Sequence, residues 1–97
     1  MGKKESEFQS KLIKEIETRF PGSRAFKVES YIQGWPDIFV IKDKHWAALE
    51  CKRDKDAPKQ PNQDYYVGML NKMSFSRVIY PENKEEVLDE LQRSFES

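Results

Sequence analysis

Cysteine and histidine are nearly missing from this chain, which has one of each. A lone Cys51 excludes an intrachain disulfide framework and suits a reducing compartment. Net charge is missing too. The 17 basic residues cancel the 17 acidic ones, and the pI is near 6.6. Without a whole-molecule basic field, a histone-like or tail-driven binder is excluded, and any contact with nucleic acid must come from a local patch. No apolar run approaches membrane-spanning length, and Met1-Gly2-Lys3-Lys4-Glu5-Ser6-Glu7 has no apolar signal-peptide core. A cytoplasmic protein without membrane association is therefore expected. Internal repeats and low-complexity segments are absent, and 97 residues suit one domain, 1–97, with a single modest core.

What is present is periodic. Phe8, Leu12, Ile13, Ile16 and Phe20 predict an amphipathic helix over residues 4–20, stopped by Pro21-Gly22. Residues 25–31 read as a first strand, and Gly34-Trp35-Pro36 as a turn. Strands over 36–42 and 45–52 flank an Asp43-Lys44 hairpin turn. A polar loop follows at 53–60, then a helix opened by Pro61 in its first turn with Tyr66, Val67, Leu70 and Met73 at core spacing. Residues 76–80 form a fourth strand. Asn83 and Glu86 predict a capping box for a last helix carrying Val87, Leu88, Leu91 and Phe95. The order α-β-β-β-α-β-α implies an α/β fold. Its central four-stranded mixed sheet has a parallel pair closed by a right-handed crossover and helices on both sides.

The hairpin carries the chemistry. Its turn pairs Phe39 with Ala48 and Asp37 with Glu50, side by side on one face at about 4.5–5.5 Å between Cβ atoms. Lys52 is two residues beyond Glu50 and shares that face. Two like charges held together need a compensating cation, and Mg²⁺, bound through a couple of carboxylates and its own waters, is the natural one. Phe39, Ile41, Trp46 and Ala48 line the same face, and Ile38, Val40, Ala47, Leu49 and Cys51 the other. A sheet apolar on both sides is expected to be covered on both. A register slip of one residue would separate the two acids.

Other residues take secondary places. Glu5 falls on the inward stripe of the first helix, where a carboxylate is either a further acidic metal ligand or lifted to the helix rim, and it ranks ahead of Glu7, which favours the positive end of the helix dipole. Gln63 sits where an amide can orient a water or a phosphate. Cys51 reads as a core residue that can reach a metal only through its main-chain carbonyl. His45 reads as a surface strand residue. Tyr65, Tyr66, Trp46, Met69, Leu70 and Met73 read as core or partner surface. The acidic last helix (Glu85, Glu86, Asp89, Glu90) is expected to face away from nucleic acid.

Gly34-Trp35-Pro36-Asp37, Glu50-Cys51-Lys52 and Pro61-Asn62-Gln63, in that order, resemble the PD-(D/E)XK nuclease superfamily. The nearest likeness is to the small virus-type replication-repair nuclease (VRR-NUC) domains, from Glu5 to about Val87. The resemblance implies a restriction-endonuclease-like core with Mg²⁺ or Mn²⁺ held by Asp37 and Glu50. It implies that Lys52 activates water and stabilises charge on the phosphate. Glu5 matches the family's helix glutamate and Gln63 its helix-start glutamine. Lys27 falls where members carry a basic residue facing a phosphate. Arg53, Lys55 and Lys59, with Arg24, are the other expected DNA contacts. Trp35 departs from the smaller residue usual there, and the loop before Gly34 is short. Free-standing members of this size imply a homodimer resolving Holliday (four-way) junctions, of phage or prophage origin. The alternatives are a nuclease that cuts or nicks duplex DNA and a non-catalytic nucleic-acid-binding module on the same scaffold.

Overall fold

The hydrophobic periodicities above resolve into seven elements in the computed structural model, which describes residues 3–97; the expectation made on Met1 and Gly2 lies outside the described residues. They are α1 (Lys3–Arg19), β1 (Arg24–Lys27), β2 (Ile38–Lys42), β3 (His45–Cys51), α2 (Gln63–Met73), β4 (Phe75–Ile79) and α3 (Lys84–Phe95). The strands lie in the order β1-β2-β3-β4, antiparallel except for the parallel β3–β4 pair. The expected α/β architecture and element order are those observed. No described helix is long and apolar enough to cross a membrane.

Alternation along the strands sends Ala25, Ile38, Val40, Ala47, Leu49, Cys51, Phe75 and Ile79 to one face. There they meet Leu12 and Ile16 from α1, Phe20 just after it, and Val87, Leu88, Leu91 and Phe95 from α3. Phe20 and Phe95 close this core edge to face at 5.6 Å between ring centroids, a favoured aromatic geometry. The opposite face belongs to α2, whose Leu70 is buried outside that core. Ser74 and Ser76 hydroxyls donate to the carbonyls of Trp46 and Ala48.

Cover on this second face is incomplete, contrary to the sequence expectation. A helix is about 10 Å wide and strands lie about 4.8 Å apart, so one helix shields about two strands. α2 shields β3 and β4. Over β1 and β2, Phe26 and Ile41 remain 44% and 42% exposed, and Phe39 stacks on Trp46 at 5.5 Å.

Three local readings change. β1 ends at Lys27 rather than reaching Tyr31. Val28 still donates to the Asp37 carbonyl at 2.8 Å, but the Ser30 hydroxyl then captures the Ile32 N–H at 3.0 Å. Such a local bond competes with the sheet ladder. Pro61 precedes α2 instead of opening it, because Asn62 takes a positive φ of 71°. The capping box does not form. The Asn83 side chain accepts from Tyr80 N–H at 2.8 Å and donates to the Val78 carbonyl at 3.0 Å, so it ties the β4–α3 turn and is not available to cap α3.

Asn83→Ala therefore removes two hydrogen bonds and should cost about 1–2 kcal/mol. Glu86→Ala should stay within about 0.5 kcal/mol of the parent. Thermal unfolding of the two variants distinguishes the turn tie from the capping box, which would make both costly.

Candidate active site

β2 and β3 pair with Ile38 opposite Leu49, so the next step outward sets Asp37 beside Glu50 at the open end of the hairpin. The chain fixes Asp37 from three sides. Its carbonyl accepts from Val28 N–H. Its carboxylate accepts from Cys51 N–H at 3.0 Å through Oδ1 and from the Gln9 side-chain amide at 2.7 Å through Oδ2. Glu50 is 5% exposed, and its Oε2 accepts from the Gln63 amide at 2.8 Å. Gln63 in turn accepts from Gln60 N–H at 3.0 Å, so the start of α2 is tied to the end of β3. Lys52 is also buried. Its Nζ lies 3.9 Å from Glu50 Oε2 and donates to the Pro58 carbonyl at 3.1 Å.

Burial pushes the Glu50 carboxyl up to about 8, the neighbouring Asp37 charge adds to the rise, Lys52 opposes it, and Glu5 adds a little more. Burial likewise raises Asp37, against the lowering effect of its bonds from Cys51 and Gln9. Burial and the nearby acids push the Cys51 thiol well above the usual range. The thiol is protonated and lies in the hydrophobic core, so only the main-chain carbonyl of Cys51 remains as a donor.

Glu5 is half-buried and lines a cleft of about 120 Å³ with Lys52, Arg53, Ala57, Pro58 and Gln60, whereas Glu7 is exposed and outside it. On the other side of Lys52 a cavity of about 240 Å³ is lined by Lys55, Lys59, Gln63 and Tyr80, with Asp54 and Asp64. Lys52 and Ala57 line both. Lys27 and Lys55 are exposed. Arg53 lies 3.5 Å from Asp54, Lys59 3.1 Å from Asp64 and Arg24 3.5 Å from Glu17. These exposed pairs are weak and leave the cations exchangeable for phosphate.

Among the described residues no group of three His, Cys, Asp or Glu side chains is gathered to hold a metal. Asp37 and Glu50 form the acidic pair, with Glu5 in the adjoining cleft. Two hard carboxylate oxygens suit Mg²⁺, which keeps several waters and takes one or two carboxylates. The donor set therefore fits the ion.

Two participants are absent from the sequence reading. Gln9, only 1% exposed, is the residue that grips Asp37. Its signal was a polar side chain four residues after Glu5 and three before Leu12, on the buried stripe of α1. The other is the Pro58 carbonyl, a backbone atom that sequence does not single out. Gly34 gains a specific reason: φ is +90°, and a Cβ there would stand 2.6 Å from the Pro61 carbonyl oxygen and 2.7 Å from the Asn62 carbonyl carbon. Its bare Cα lets the turn before Asp37 lie on the turn that starts α2. Trp35 and Tyr66 seal the contact at 5.4 Å.

Gly34→Ala combines backbone strain with overpacking and should cost about 2–4 kcal/mol, measurable by urea unfolding. A second expectation concerns pH. The folded-state value of Glu50 lies above its unfolded value of 4.5, at about 8. Between those limits the folded protein binds more protons, so stability without divalent ions falls as pH rises, at up to about 1.4 kcal/mol per pH unit. Glu50→Gln should flatten that slope when unfolding is measured in EDTA across the window.

The chain matches no protein-family model, no curated protein and no solved structure.

Proposed function

We propose that this chain is a metal-dependent DNA endonuclease. The observation that carries the reading is the pair of buried Glu50 and half-buried Asp37 with the Lys52 ammonium 3.9 Å from Glu50 Oε2. Withdrawing an acid and a lysine from water beside a second acid at one sheet end, where apolar side chains would be more stable, is costly and is the pattern of a functional site. The resemblance of Gly34-Trp35-Pro36-Asp37 and Glu50-Cys51-Lys52 to PD-(D/E)XK nucleases, VRR-NUC domains in particular, supplies the reaction class.

Phosphodiester hydrolysis adds water across a P–O bond, leaving one phosphomonoester end and one hydroxyl end. Asp37 and Glu50 would hold Mg²⁺ or Mn²⁺, which when bound supplies Lewis acidity and orients the attacking water. Asp37 enters this role with both oxygens already oriented by Cys51 N–H and Gln9, so little is reorganised on binding. Gln63 fixes Glu50 in the same way. Lys52 stabilises negative charge developing on the phosphate once its bond to the Pro58 carbonyl is exchanged for one to the substrate. Arg53, Lys55, Lys59 and Lys27 surround the site with exposed cations that contact flanking phosphates, which makes binding salt-sensitive. The sequence offers no obvious base-reading helix, which favours recognition of DNA shape.

Within that reading the preferred substrate is a four-way junction and the working form a homodimer, whose two sites match two symmetric strands. Both follow from the family likeness. Asp37→Asn, Glu50→Gln and Lys52→Met should each reduce cleavage by about 10²-fold or more while the proteins stay folded. The assay is a labelled four-way junction beside a matched linear duplex in Mg²⁺, Mn²⁺ or EDTA. Metal-dependent cutting of the junction alone is the expected result. Cutting of linear duplex would make the protein a general or nicking nuclease, and binding without cutting a non-catalytic module.

A further inference from the structure

Gln9 buries two polar side-chain atoms, and among the described residues only one of them has a partner. Its amide nitrogen donates to Asp37 Oδ2 at 2.7 Å, while Oε1 is, among the described residues, the buried side-chain polar atom with no hydrogen-bond partner. The side chain is 1% exposed. Turning the amide over would not help, since it would set Oε1 against the Asp37 carboxylate, acceptor against acceptor. Asp37 thus fixes the orientation and leaves Oε1 as an unpartnered acceptor within one amide group of its carboxylate. An unpartnered buried acceptor costs about 1–3 kcal/mol, and an amide group is small enough that this oxygen lies close to the carboxylate its nitrogen grips.

We propose that Gln9 Oε1 accepts a hydrogen bond from a water on the divalent ion held by Asp37 and Glu50. Gln9 is then a positioning residue with two tasks, aiming Asp37 through its nitrogen and holding a metal-bound water through its oxygen. This rests on the metal-dependent reading above. Being neutral, the Gln9 oxygen receives that hydrogen bond without adding a further negative charge beside Asp37 and Glu50.

The test is the rise in thermal midpoint when Mn²⁺ is added to metal-free protein, together with Mn²⁺ affinity from titration calorimetry. Gln9→Met keeps the length and removes both polar atoms. Gln9→Glu keeps an acceptor and loses the donor to Asp37. Water held by Oε1 predicts that Gln9→Met binds Mn²⁺ about 10- to 100-fold more weakly with a smaller rise. Gln9→Glu should bind at least as tightly as the parent, with a larger rise from a lower metal-free midpoint. Equal weakening in both variants would mean that Gln9 only clamps Asp37, and parental affinity in Gln9→Met would mean that it does not act on the ion; either result overturns the proposal. If the parent protein itself shows no rise with Mn²⁺, the metal-dependent reading fails first.

Discussion

Repulsion between Asp37 and Glu50 is the constraint around which the site end of this molecule is organised. Two acids at the end of one hairpin, one 5% exposed, are tolerated because each is gripped by neutral donors from a different element. Gln9 comes from α1, Cys51 N–H from β3 and Gln63 from α2. Among the described residues Lys52 supplies the opposite charge at close range to Glu50, and it is itself held by the loop at Pro58. None of these bonds is strong alone. Together they join two helices, the sheet and a loop at a single point.

The remainder of the fold is built to hold that point still. The core of α1, α3 and one sheet face is a continuous apolar cluster, and among the described residues the candidate-site residue that belongs to it is Cys51, whose thiol is a core group. The second face divides its labour. α2 covers β3 and β4 and delivers Gln63, while β1 and β2 keep an aromatic and aliphatic surface of Phe26, Phe39, Ile41 and Trp46 partly open.

Much of this was legible in the sequence, for identifiable reasons. The period-two alternation on both sides of Asp43-Lys44 determined the hairpin register, and with it the adjacency of Asp37, Glu50 and Lys52. Helical periodicity located α1, α2 and α3 to within a few residues. What was not legible depends on partners distant in sequence. Asn83 looks like a cap, but the carbonyl of Val78 and the N–H of Tyr80 compete for it successfully. The incomplete second face follows from the width of one helix relative to four strands, which no local pattern encodes. Gln9 is concealed because polar residues on a helix are usually solvated. Only its place between Glu5 and Leu12 set it apart.

The bond from Cys51 N–H to Asp37 Oδ1 gives the molecule a built-in reporter. At that position a side chain, rather than the backbone of β2, takes the amide of the last β3 residue, so the β2–β3 ladder ends where the site begins. Solvent exchange of that one proton requires Asp37 to let go, whatever the rest of the ladder does. Its exchange rate is therefore a clock for the opening of the acid pair, readable without substrate and independent of any assay of chemistry.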